Sequence, residues 1–100
     1  MTVTHEIEQN GLTFRTEAEK VENNWYDWQV ELADSAEPMD QIREVEYLLH
    51  PTFPKRVRRS EDANDHFALK SAGWGEFDIV ARVYYKNGDE KTVIVPLKFS

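Results

Sequence analysis

Between Phe77 and Tyr85 the chain alternates without a break: Phe77, Ile79, Ala81, Val83 and Tyr85 take one set of positions, and Asp78, Val80, Arg82 and Tyr84 take the other. Successive side chains of an extended strand point to opposite faces, so this period of two predicts a β-strand with one face in a core. Asn87-Gly88 follows, a residue pair that readily takes the positive φ angles of a tight hairpin turn. Val93, Val95, Leu97 and Phe99 then repeat the alternation. Pro96 has no N–H to give to a ladder and marks an edge or bulge position.

Weaker copies of the pattern run through the rest of the chain. Leu12, Phe14 and Ala18 alternate with Thr13, Arg15, Glu17 and Glu19, and Trp28, Val30 and Leu32 alternate with Gln29 and Glu31. DSAEP, residues 34–38, closes that strand as a loop. Residues 39–50 fit two templates: Met39, Ile42, Val45 and Leu49 share a helix face, while Val45, Tyr47 and Leu49 share a strand face. The prolines at 51 and 54 and the β-branched and aromatic content favour a strand that ends in a fixed turn. KRVRRSEDANDHF reads as a polar connection with a short edge strand, and HFALK, residues 66–70, as one more strand. About seven or eight short strands with frequent turns define an all-β fold, an antiparallel immunoglobulin-like sandwich. With no cysteine in the chain, it has no disulfide.

One hundred residues allow a single modest core, so residues 11–100 are expected to form one domain behind a short polar lead-in, residues 1–10, which is open to fraying. No run approaches the roughly 20 apolar residues of a membrane helix, and the start lacks a signal-peptide core, so the expected location is cytoplasmic. A net charge of −7 argues against nucleic acid as a partner. The charge is divided unevenly: residues 1–50 carry 12 acidic and 3 basic side chains, residues 51–100 carry 7 acidic and 9 basic. An acidic half suits a basic partner, or simply keeps a small protein soluble.

Sites of chemistry are sparse. His5, His50 and His66 lack ligand spacing, so neither a metal nor another cofactor is expected. Ser35, Ser60, Ser71 and Ser100 have no nucleophile-elbow context, and no enzyme signature is present. Lys55, Arg56, Arg58 and Arg59 read as a charged strand edge that discourages sheet-to-sheet association. Two turns remain. In AGWGEF, Gly73 and Gly75 free the backbone on both sides of Trp74, and in LHPTFP two prolines stiffen a turn that presents His50, Thr52 and Phe53. Taken singly, each of these residues is better explained by core packing, turn capping or a satisfied strand end than by a binding role.

Taken together, DWQVEL, REVEYLLHPTFPKRV and SAGWGEFDIVARVYY, in this order and spacing, resemble a YEATS domain, and the short chain resembles the prokaryotic branch of that family. The resemblance implies an immunoglobulin-like sandwich with residues 41–50 as strand. It also implies a non-enzymatic module that reads acylated lysine, acetyl or crotonyl, or a similar modified group, on a peptide or a basic protein partner. Carried over, Phe53 and Trp74 would sandwich the acyl amide, Thr52, where the family usually has serine, would bind the amide, and the Trp74 N–H would bind the acyl carbonyl. Gly73 and Gly75 would permit close approach, Phe77 would line the open end, and His50 would brace the loop or meet the peptide. Trp25 or Tyr26 lies near a third aromatic wall. The stretch VIVPL carries no counterpart of the acidic residue found near the last strand of many readers, and the SEDAND loop is unmatched. A protein–protein interaction module that pairs through a sheet edge or the aromatic turns, without acyl-lysine, is the alternative.

Overall fold

A computed structural model describes residues 2–100. It holds eight strands: β1 (Thr2–Gln9), β2 (Leu12–Glu22), β3 (Trp25–Ser35), β4 (Ile42–Leu48), β5 (Val57–Ser60), β6 (Leu69–Gly73), β7 (Phe77–Tyr85) and β8 (Glu90–Leu97). They form two four-stranded antiparallel sheets, ordered β1-β2-β3-β6 and β5-β4-β7-β8. No helix of the described residues is long and apolar enough to cross a membrane.

The alternation read in the sequence is what closes the sandwich. Leu12, Phe14, Ala18, Trp28, Val30 and Leu32 bury their side chains from one sheet, and Val45, Tyr47, Ile79, Ala81, Val83, Val93, Val95 and Leu97 from the other. Phe14 of β2 meets Tyr47 of β4 edge to face at 6.3 Å, joining the sheets across the core. Pro96 lies on β8, an edge strand, where its missing N–H costs the ladder least.

Four sequence readings are refined. The polar lead-in is a strand: β1 pairs with β2 from Thr2–Glu19 to Gln9–Leu12. Its turn is Asn10-Gly11, with φ of +56° and +76°, the double left-handed geometry of a two-residue hairpin. Val3 and Ile7 are partly covered while most of its other side chains face solvent, as expected on an edge strand. At the Asn87-Gly88 turn only Gly88 takes positive φ, +95°, with the Gly88 N–H bonded to the Tyr85 carbonyl and the Tyr85 N–H to the Asp89 carbonyl. The helix-like spacing of Ile42 and Val45 has its cause in a break of register between Ile42 and Glu44, where one extra residue turns a three-residue step into a same-face step. The strand expected at 66–70 starts later, at Leu69, because His66 and Phe67 both hold left-handed backbone, φ +54° and +53°. That unusual pair is pinned: the Leu32 N–H donates to the His66 carbonyl at 3.0 Å, and the buried Tyr47 hydroxyl donates to the Phe67 carbonyl at 2.6 Å.

Candidate functional site

At one end of the sandwich, two connections, the β4–β5 turn and the β6–β7 turn, come together with the start of β3. They enclose a cavity of about 310 Å³. His50, Thr52, Phe53, Gly73, Trp74, Gly75 and Phe77, the residues singled out from two separate stretches of sequence, all line it. Trp25, Pro54, Ala72 and Glu76 complete the wall.

The floor is an extension of the core. Phe53 and Phe77 approach with ring centroids 5.4 Å apart, and both stand edge to face against Trp28, at 6.3 and 5.9 Å. Trp28 is 3% exposed, so these contacts fix the two phenylalanines from below. His50 adds an edge contact to Phe77 at 6.1 Å. The tryptophans form the rim instead: Trp25 is 43% exposed and Trp74 71%. Between the two aromatics left open near the start of β3, the structure selects Trp25 for the cavity. Tyr26 points its ring elsewhere and stacks on Phe99, centroids 4.1 Å apart.

One polar pair sits in the wall, and its proton arrangement follows from a backbone donor. The Thr52 N–H donates to His50 Nδ1 at 3.2 Å, so Nδ1 carries no proton. The Thr52 hydroxyl, 2.9 Å from the same nitrogen, therefore donates to it. Its oxygen keeps lone pairs free for an N–H entering the cavity.

The two glycines leave the wall without a side chain on either side of Trp74. Neither has positive φ, contrary to the expectation that they relax the backbone into conformations barred to other residues. A Cβ on Gly73 would stand 3.7 Å from the Phe53 ring, in ordinary contact at the cavity wall, and one on Gly75 would meet nothing within 4 Å. Packing alone therefore does not demand glycine at 75.

A wider, more open depression of about 510 Å³ adjoins this cavity through the shared residue Ala72. It lies across β2, β3 and β6 and includes Glu17, Glu19 and Asp27 with a single cation, Lys70. Most of the acidic half of the chain lies in the sheet that β1, β2 and β3 build. The three arginines at and just before β5 are internally engaged: Arg56 donates to the Leu49 carbonyl, Arg58 to the Lys55 carbonyl, and Arg59 to Glu46 at 3.0 Å.

An immunoglobulin-like sandwich with an aromatic-walled cavity between its β4–β5 and β6–β7 turns is the class that fold and site define. The model of the prokaryotic YEATS domain matches residues 26–98, and the chain belongs to that family. A protein AF-9 homolog of Gibberella zeae is 35% identical over 69 residues, covering 66% of this chain and 26% of that protein. The protein AF-9 homolog of Saccharomyces cerevisiae is 42% identical over 53 residues, 52% of this chain and 23% of that protein. The chain thus spans about a quarter of the length of these relatives. Among solved structures, the Yaf9 YEATS domain bound to H3K27ac shares the fold at TM-score 0.75 and 23% identity, over 100% of this chain and 75% of that one. The Yaf9 YEATS domain recognizing an H3K122suc peptide gives 0.73 and 25%, over 98% and 74%.

Trp25, Pro54, Ala72 and Glu76 are the lining residues that sequence reasoning did not commit to. Trp25 follows the Asn23-Asn24 turn of the β2–β3 hairpin, and a hairpin-tip aromatic is the signal that would have found it.

Proposed function

We propose that this domain is a non-enzymatic reader that takes the side chain of an acylated lysine, acetyl or crotonyl, into the cavity between Phe53 and Trp74. The observation that carries the reading is the lining itself: five aromatic or imidazole rings, one hydroxyl with free lone pairs, and no lysine or arginine. A planar amide stacks well on aromatic faces. In this slot its N–H would donate to Thr52 Oγ1, and its carbonyl would accept the Trp74 N–H. An unmodified ammonium would have to shed its hydration to lie between the rings, and the one carboxylate in the lining, Glu76, is held toward the Phe99 N–H at 2.7 Å. A conjugated acyl group would add flat surface against the rings and gain most.

The partner is a peptide of basic character. Glu17, Glu19 and Asp27 border the adjoining depression, and residues flanking the modified lysine would lie over it. Relatives point the same way, since the Yaf9 domain has been seen with acylated histone peptides. NMR titration with acetyl-lysine and crotonyl-lysine peptides, against the unmodified peptide, tests the proposal. Shifts at residues 50–53 and 73–77 with the acylated peptides alone are expected; none there would refute it.

The exposure of Trp74 and Trp25 favours a second reading, an interaction module that docks a protein surface on these rings without any acyl group. Light scattering that showed self-association lost in Trp74→Ala would support it.

A further inference from the structure

Trp74 has little to hold it. It leaves 71% of its surface to solvent and pairs with no other ring among the described residues. Glycine stands on both sides, and glycine carries more backbone freedom than any other residue. A turn of this composition samples many conformations unless something outside it restricts the ends.

Both ends are restricted, and the two restraints meet. At the entry, Gly73 is the last residue of β6 and the register partner of Tyr26 on β3. At the exit, Glu76 Oε2 accepts the Phe99 N–H at 2.7 Å, just beyond the final β7–β8 pair, Phe77–Leu97. Phe99 in turn lays its ring on Tyr26, with centroids 4.1 Å apart and planes 12° from parallel. The chain of contacts thus closes: Gly73 to Tyr26, Tyr26 to Phe99, Phe99 to Glu76, and Glu76 back through Gly75 and Trp74 to Gly73. Tyr26 belongs to one sheet and Phe99 follows the edge strand of the other, so the ring also ties the two sheets beneath the turn.

We infer that Glu76 is a positioning residue for Trp74: by holding the Phe99 N–H it closes a ring of contacts that fixes the Gly73–Glu76 turn and, with it, the outer wall of the cavity. Its consequence for acyl-lysine binding rests on the function proposed above. The hydrogen bond is charge-assisted, which makes it stronger than a neutral one. It is also exposed, so water can replace the carboxylate at Phe99 once it is removed. Loss of the bond therefore frees the turn without unfolding the sandwich.

Three variants separate this from a general structural effect: Glu76→Ala removes the acceptor, Glu76→Gln keeps one, and Phe99→Ala cuts the same ring at the Tyr26 stack. In the ligand-free protein, ¹⁵N relaxation of the backbone amides of residues 73–76 is expected to show order parameters falling from about 0.85 to below about 0.6 in Glu76→Ala and Phe99→Ala. Glu76→Gln is expected to stay close to wild type. If Trp74 is then in place about a tenth of the time, the affinity for an acetyl-lysine peptide falls about tenfold, because apparent affinity scales with the competent fraction. Wild-type order parameters in Glu76→Ala would overturn the inference, as would a Glu76→Gln variant as loose as Glu76→Ala. The relaxation arm uses no peptide, so a wild type that bound no acylated peptide would refute the reader function while the inference stood or fell on the amides alone.

Discussion

Phe53 and Phe77 meet at 5.4 Å on top of the same buried indole, although one comes from a proline-bounded turn and the other from the first residue of a strand. Through Trp28 the floor of the cavity is continuous with the core, which gives these two residues a structural role beside the binding role proposed for them. Phe53→Ala is therefore expected to lose peptide binding and also to destabilise the fold. A fully buried Phe→Ala change costs about 3–5 kcal/mol, and for the half-buried Phe53 we expect roughly half of that. Urea unfolding, with a lowered midpoint and an unchanged slope, checks the stability component.

Trp74 presents the opposite case. With 71% of its surface exposed, it contributes little to the folded state. Trp74→Ala is expected to change stability by no more than about 0.5 kcal/mol, as surface substitutions generally do, while abolishing the binding of acetyl-lysine peptides. A melting curve matching wild type beside a flat titration is the expected pair of results. A melting curve matching wild type with undiminished binding would remove Trp74 from the site.

The contrast between these residues also explains what the sequence disclosed. Alternation from Leu12 to Leu32 and from Phe77 to Leu97 is legible because each of those strands buries a single face, so a period of two survives. It fails at Ile42–Val45, where the register break makes a strand imitate a helix, and at His66-Phe67, where two left-handed residues delay β6. β1 escaped notice because an edge strand with little core contact has almost no apolar pattern, although Asn10-Gly11 carried the same hairpin signal that was read at Asn87-Gly88. Two unusual turns pointed to the cavity, and both do line it. Glu76 gave no sign, since its partner is a backbone N–H distant in sequence, and backbone donors are the same at every residue.

Thr52 is the polar contact whose chemistry can be tested most cleanly. Its hydroxyl donates to His50 and so presents an acceptor to the cavity. Thr52→Val keeps the shape and removes that acceptor, leaving the N–H of a bound amide unpaired. At about 1–1.5 kcal/mol for one hydrogen bond, affinity for acetyl-lysine is expected to fall roughly five- to fifteenfold. Thr52→Ser is expected to bind like wild type. Isothermal titration of the three proteins decides, and a Val variant that bound as well as wild type would show that the amide is held elsewhere.

Tyr47 makes a prediction about pH that involves no ligand. Its hydroxyl is buried and holds the Phe67 carbonyl, and burial, with the charge of Glu31 as a lesser cause, raises its pKa well above the ordinary tyrosine value. In the unfolded chain the group ionises near pH 10. Above that pH the unfolded state loses a proton that the folded state retains, so the stability Tyr47 contributes is complete below about pH 10 and declines as pH rises toward the folded pKa. The slope is about 1.4 kcal/mol per pH unit. Tyr47→Phe removes both the slope and the hydrogen bond, and it leaves the carbonyl of a left-handed residue without its donor. A cost of about 1–3 kcal/mol is expected near neutral pH. Measured by denaturant unfolding from pH 7 to pH 11, the wild type and the Phe variant are thus expected to converge as the solution becomes more alkaline. Parallel curves over that range would mean that Tyr47 ionises in the folded protein as readily as in the unfolded one, and coincident curves that its buried hydroxyl does not hold the His66-Phe67 corner.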